Sequence, residues 1–320
     1  MGIPFARSTL TLVPRPRHLT WGRMPHHAEG PSQTQARYLE HLSDRDLALL
    51  ADAAGIPGAG DGSAVRRMRG EPDLVERALS DARTFERLFD DRRAGDTLLV
   101  ASPFVVFSVG VHRAAADLQH ATFVPDWVAP RQRVPVMDTD RLRDFVGDRL
   151  HRLFLAELLA SYTKVASGAL WVKGRKGWRR QRFSELDPVR LAALIDVVRS
   201  EERPGIYRRL GDLALFLTGV FPDHSSSHPL GRIDVQRLLR SGATEDATPQ
   251  AFETHGALGF LELLGGRWYK LACATAPATS ALDVVASVAE RFRDARRVLN
   301  FITDRYLFKQ RTRWFPGLAP

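Results

Sequence analysis

The stretch Tyr207-Arg-Arg-Leu-Gly-Asp-Leu-Ala-Leu-Phe-Leu-Thr-Gly-Val-Phe-Pro-Asp-His224 decides the fold. Between Leu210 and Phe221 only Asp212 and Thr218 carry polar side chains. A helix that is apolar on every face belongs at the centre of a larger assembly, not on its surface. The run predicts a helix over 204–221, and Pro222 stops it because proline lacks the N–H that a next turn needs. Asp212 is the exception inside it. A buried carboxylate must be paired or protonated. Arg208 and Arg209, four and three residues back, are within reach along the helix. Two readings follow. In one, Asp212 forms a structural ion pair or caps a neighbouring helix. In the other it is a site residue in a helical pocket with Tyr207 and His224.

Helical signals continue outward from this core. Ser43, followed by Asp-Arg-Asp and then Leu47, Ala48, Leu49 and Leu50, reads as an N-cap with acids in the first turn. That helix should end at Gly55. The glycine-rich loop 55–63 lacks the preceding strand and the Gly-Lys-Ser/Thr ending of a phosphate cradle. Two short helices are expected at Pro72–Ser80 and Ala82–Phe89. The apolar segment from Thr97 to Leu118 has the length of a buried helix, although its run 104–111 also suits a strand. Short extended pieces are expected at 122–124 and 133–137, separated by Pro125 and Pro130. Asp138 or Thr139 should cap a helix running through Phe145, Leu150 and Phe154 to about Val165. Further helices are expected over 188–200, near 235–239, over 248–273, and from the Ser280 cap through Val284, Val288, Phe292, Val298 and Ile302 to Tyr306.

The fold class is therefore mainly α: a multi-helix, bundle-like domain with one β-hairpin at 169–183 and a few short strands. The chain divides into a flexible tail (1–32), an N-terminal helical part (33–168), and a hairpin plus C-terminal helical part (169–320). The last two are either separate or one continuous domain.

The hairpin reads Ala169-Leu-Trp-Val-Lys-Gly-Arg-Lys-Gly-Trp-Arg-Arg-Gln-Arg-Phe183. Gly174 and Gly177 bracket Arg175-Lys176, as a tight turn requires. Pairing those glycines sets Lys173 opposite Trp178 and Trp171 opposite Arg180. Period-2 geometry then gathers these four and Arg182 on one face, with Leu170, Val172 and Phe183 on the other. Lys173, Arg175, Lys176, Arg179, Arg180 and Arg182 supply six positive charges before the first acid, Glu185. Cations neutralise phosphates and indoles stack on unpaired bases, so these residues could contact nucleic acid or an acidic protein surface. Alternatively, Trp171–Arg180 and Lys173–Trp178 form cation–π pairs that only stabilise a surface ribbon.

The spacing of Tyr207, Leu210-Gly211-Asp212, Ala214-Leu215-Phe216, Gly219 and Phe221-Pro222 resembles a family of uncharacterised bacterial proteins. The segment His255–Leu271, with Tyr269 near its end, is similar to a later part of that family. The resemblance covers the C-terminal third and implies no activity.

The chain has 320 residues, 46 basic and 37 acidic, for a net charge of +9. Its 44% hydrophobic content excludes disorder as the dominant state. The excess charge sits in Arg7, Arg15, Arg17 and Arg23, in the hairpin, and in Arg305, Lys309, Arg311 and Arg313, which leaves a mildly acidic helical body. The single cysteine, Cys273, allows no internal disulfide. No apolar run is long enough for a membrane span, and the proline-interrupted N-terminus lacks a signal-peptide core. A cytoplasmic protein is expected, with its biological start at Met1 or Met24.

No catalytic signature stands out. Asp148-x-x-His151, with Glu157 beyond, could present metal ligands, but a two-metal bundle needs a second such motif. Glu253-x-His255, His224…His228 and His26-His27 have the wrong spacing or context, so neither metal nor cofactor is expected. Cys273 sits in an apolar context that reads as core. Arg141, Arg143, Arg149 and Arg152 alternate with acids as a solvent face would. The sequence thus favours a regulatory binding protein that contacts nucleic acid or an acidic protein partner through Trp171, Lys173, Arg175, Lys176, Trp178, Arg179, Arg180 and Arg182, with no membrane partner. The alternative is an enzyme or small-ligand sensor built around Asp212.

Overall fold

A computed structural model describes residues 37–89, 101–129, 132–165, 167–174, 177–223, 230–242, 249–277, 279–308 and 311–316. The proposed tail and both candidate start sites lie outside them. The described chain is mainly helical, with two small antiparallel ribbons. Helices α1 (37–41), α2 (Asp44–Ala53), α3 (Ser63–Gly70), α4 (Pro72–Ser80) and α5 (Ala82–Phe89) lead to α6 (Pro103–Leu118). Ribbon β1 (Val124–Ala129) and β2 (Gln132–Val136) follows, then α7 (Asp140–Gly147) and α8 (Arg149–Ser161). The second ribbon, β3 (Ser167–Gly174) and β4 (Gly177–Ser184), precedes α9 (Pro188–Ala192), α10 (Arg203–Val220) and α11 (Arg232–Ser241). Then come α12 (Pro249–Thr275), α13 (Ser280–Glu290), α14 (Phe292–Ile302) and, after a π-helical turn at Thr303–Leu307, α15 (Arg311–Trp314).

The apolar stretch is the central helix. Every residue of α10 from Leu210 to Val220 is buried. It packs mainly on α12, and also on α14. Each fully buried Leu or Phe there contributes about 1.5–3 kcal/mol. Asn300 of α14 donates to the carbonyls of Thr218 (3.0 Å) and Gly219 (2.7 Å), tying the two helices.

Buried apolar residues fall into two clusters. The smaller joins α1–α5 to one side of α6 through Phe104, Val105, Val106 and Val109. The larger takes Phe107, Val111 and Leu118 from the same helix, with α7, α8, α10, α12, α13 and α14. Helix α8 is shared likewise: Leu153 and Ala156 face one cluster, Phe154 and Leu155 the other. The N-terminal end is tied by Asp46. It completes a capping box with Ser43 and accepts from the backbone N–H of Ser102 at 3.0 Å, joining the starts of α2 and α6.

The buried helix expected within 97–118 forms at Pro103–Leu118 and takes in the run 104–111, because Ser102 caps it (Val105 N–H to Ser102 Oγ, 3.3 Å) and Pro103 occupies the first turn. Several other expectations need correction. Helix α3 was missed. The first extended piece is longer than expected, the second is shifted by one residue, and the two pair as a second hairpin, with Pro125 opposite Pro135. The helix expected from 139 to 165 breaks at Gly147, where Asp148 turns out of the helix and caps α8 through Leu150 N–H at 2.7 Å. The final helix breaks at Arg291, and α12 kinks at Gly256, whose φ of +63° suits glycine. Helix α9 ends at Ala192 rather than Ser200. Finally, Arg152 is not on a solvent face. It is buried, paired with Glu76 at 2.8 Å, and donates to the carbonyls of Val146 and Gly147.

Helix α6 also buries His112 between Ser80 (Oγ to Nδ1, 2.9 Å) and Tyr38 (OH to Nε2, 3.4 Å). Burial, aided by the positive charges of Arg152 and Arg149, lowers its pKa from 6.5 to about 3. The folded state therefore refuses a proton that the unfolded chain accepts. This contribution is intact above pH 6.5 and is lost as pH falls from 6.5 toward 3. Denaturation across that window should show a His112-dependent loss of about 1.4 kcal/mol per pH unit. His112→Gln should remove that slope. An unchanged slope would place the titrating group elsewhere.

Candidate functional site

Asp212 lies in the middle of α10, which packs on α12. Arg208 Nε donates to Asp212 Oδ1 at 3.0 Å, and Tyr269 OH donates to the same oxygen at 2.9 Å. The carboxylate is thus paired along its own helix and bound across the helix interface. Gly211 makes the second bond possible. A Cβ there would lie 2.5 Å from Cδ1 and Cε1 of the Tyr269 ring. Leu-Gly-Asp therefore has a packing logic: glycine admits the ring and aspartate takes its hydroxyl. Burial, then the charge of Asp212, holds the Tyr269 phenol well above its ordinary pKa, so it stays a donor. Arg208 also lies over the Phe154 ring, 5.1 Å from its centre.

Arg209 does not pair with Asp212. It reaches Glu185 Oε2 at 3.2 Å and Ser161 Oγ at 2.9 Å, and covers the ring of buried Tyr162 at 4.0 Å. Arg208, Arg209, Asp212, Ser161 and Glu185 line a groove of about 510 Å³. The groove lies between the start of α6, the end of α8 and the first turns of α10. His41, Glu157 and Lys164 line it as well, and His41 Nε2 is 2.9 Å from Glu157 Oε1. Tyr207 lines a different groove, with Ala193, Asp196, Arg237 and Arg240, so the fold does not bring it to Asp212. His224 lies outside the described residues.

The basic hairpin forms with the register that its glycines imply. Gly174 pairs with Gly177, Lys173 with Trp178, Trp171 with Arg180 and Ala169 with Arg182. The ribbon extends to Ser167 and Ser184, slightly beyond 169–183, and no third strand joins it among the described residues. Trp171, Lys173, Trp178, Arg180 and Arg182 hold one set of alternating register positions, and Arg179, paired with Val172, belongs to the other set. Arg182 is exposed, and Phe183 packs on the large core at the root. Arg175 and Lys176 lie outside the described residues. Lys164 stands just before the hairpin and Glu185 just after it, so its root borders the groove.

Other candidates resolve into structure. His151 stacks on Phe145 with ring centres 4.3 Å apart, and bonds the Phe145 carbonyl and Ser287 Oγ, while Asp148 serves as a cap. The Cys273 thiol is half-buried, and burial pushes its pKa up, away from thiolate chemistry. No described helix is long and apolar enough to cross a membrane. Sequence reasoning missed Tyr269 as the partner of Asp212 and Glu185 as the partner of Arg209. Only the Leu-Gly-Asp spacing hinted at the first. Comparison with protein-family models, curated proteins and solved structures gave no match.

Because Arg208 and Tyr269 share one carboxylate, their losses should be unequal. Asp212→Asn leaves a guanidinium without its counter-charge and should cost about 3–5 kcal/mol in urea denaturation. Tyr269→Phe removes one hydrogen bond but keeps the ion pair, and should cost about 1–3 kcal/mol. The reverse order would mean that the ion pair is not what satisfies Asp212.

Proposed function

We propose that this is a cytoplasmic regulatory protein that binds nucleic acid through the β3–β4 ribbon. The observation that carries the reading is the register, which collects Trp171, Lys173, Trp178, Arg180 and Arg182 on one face of a two-stranded ribbon. Such a ribbon is narrow enough to enter a major groove. Its alternating cations and indoles also suit a single strand, where phosphates take the charges and bases take the rings. The ribbon's root is anchored by Phe183 on the core and by the contact of β4 with α9. The lone cysteine supports a reducing compartment.

Fluorescence anisotropy with single- and double-stranded oligonucleotides at two salt concentrations tests the proposal. Binding should weaken steeply with salt. Replacing Arg180 and Arg182 by Ala should lower the single-strand salt slope by about 1.4, at roughly 0.7 per phosphate contact, and Arg179→Ala on the other face should change it less. Trp171→Ala with Trp178→Ala should cost the single strand about 1–3 kcal/mol per stacked base, and the duplex less. Absence of binding at low salt would refute the proposal. Capture of poly-glutamate but not oligonucleotides would move the assignment to an acidic protein partner.

A further inference from the structure

Tyr207 opens the motif of the central helix, yet the Asp212 site does not use it. It lines the second groove, a space of about 390 Å³ at the meeting of α9, α10 and α11. Part of that lining is apolar: Val189 and Ala192 of α9, and Ile195 just after it. The rest is polar. Arg237 and Arg240 come from α11, Asp196 from the segment after α9, and Tyr207 from the second turn of α10.

These polar groups are largely uncommitted. The one contact of the Arg240 guanidinium runs from Nε to the Gln236 carbonyl at 3.4 Å. Both terminal nitrogens are left without a partner among the described residues. Arg237 stands one turn earlier on the same helix face. Its Nη1 is 3.6 Å from Asp234 Oδ1, longer than a hydrogen bond, and both side chains are exposed. The Tyr207 hydroxyl and the Asp196 carboxylate have no hydrogen-bond or ion-pair partner among the described residues. The groove beside Asp212 differs, because its Arg208 and Arg209 already hold carboxylates.

Two guanidiniums and one carboxylate leave one positive charge unbalanced on the lining of the second groove. A monoanion matches it, whereas a second negative charge on the ligand would be opposed by Asp196. A guanidinium offers a carboxylate paired N–H donors, and a phenol adds an O–H. An exposed ion pair alone binds weakly. The apolar lining adds to it by covering a hydrocarbon body. The volume lies within the range of small-ligand sites.

We propose that this groove binds a small organic monocarboxylate with an apolar body. Its carboxylate sits at Arg240, supported by Arg237 and Tyr207, and its hydrocarbon lies against Val189, Ala192 and Ile195. The inference is independent of the ribbon's function, although α9 also packs on β4.

Methyl-resolved NMR titration of the full chain tests it. The probes are benzoate, hexanoate and octanoate, against acetate, hexanol, hexylamine and inorganic phosphate. At least one of the three acids should shift the Val189 and Ile195 methyls and saturate with a dissociation constant below about 5 mM. From acetate to hexanoate, affinity should rise by up to about fourfold per methylene. Hexanol and hexylamine should bind at least about fivefold more weakly than hexanoate. Arg240→Gln should weaken the acids by about fivefold and leave hexanol unchanged. Tyr207→Phe should weaken them by a smaller factor. Asp196→Asn should tighten the acids and phosphate alike, a gain that local damage cannot mimic. No saturable shift up to about 20 mM, equal binding of hexanol, tighter binding of phosphate, or indifference to Arg240→Gln would overturn the inference.

Discussion

A carboxylate inside an apolar helix is the constraint around which this structure is arranged. Asp212 could not be buried with α10 unless its charge were met, and it is met from two directions: by Arg208 one turn earlier and by Tyr269 of α12. Removing such a group from water without partners costs several kcal/mol. The requirement fixes more than one bond. It sets the rotation of α10 about its axis and places glycine at position 211, so that the tyrosine ring can approach. The close packing of α12 on α10 extends this, with Gly265 admitting Ala214 and the Phe292 ring.

A second polar network performs the same task at the other side of the core. Arg296 of α14 is buried and pairs with Asp126 of β1 and Glu262 of α12, each at 2.7 Å, while Arg297 reaches the second oxygen of Asp126 at 2.8 Å. Together with Asn300 on the α10 carbonyls, this holds the first ribbon against the helical body. Ion pairs of this kind contribute little net stability but enforce one arrangement, because breaking either partner strands a buried charge.

Much of this was readable in the sequence where the signal was local. The Ser43 cap, the helices at Pro72–Ser80 and Ala82–Phe89, the central helix and the hairpin register all rest on residues within one or two turns of each other. What failed was tertiary. Arg152 looks like a surface residue until Glu76 meets it from a distant helix. The break at Asp148 was hidden because both sides keep helical periodicity, and the β1–β2 ribbon was hidden because prolines usually disqualify strands. Asp212 itself was legible as a buried charge with Arg208 in reach. Its tie to Tyr269, 57 residues on, was not.

The most direct test of this organisation is native-state amide hydrogen exchange. If Asp212, Arg208 and Tyr269 make α10 and α12 one unit, the amides of residues 210–220 and 258–272 should share a single opening free energy equal to that of global unfolding. In Tyr269→Phe both sets should fall together, by the same amount. Exchange of α12 through a separate, less costly opening that leaves α10 protected would contradict the central role of the buried carboxylate.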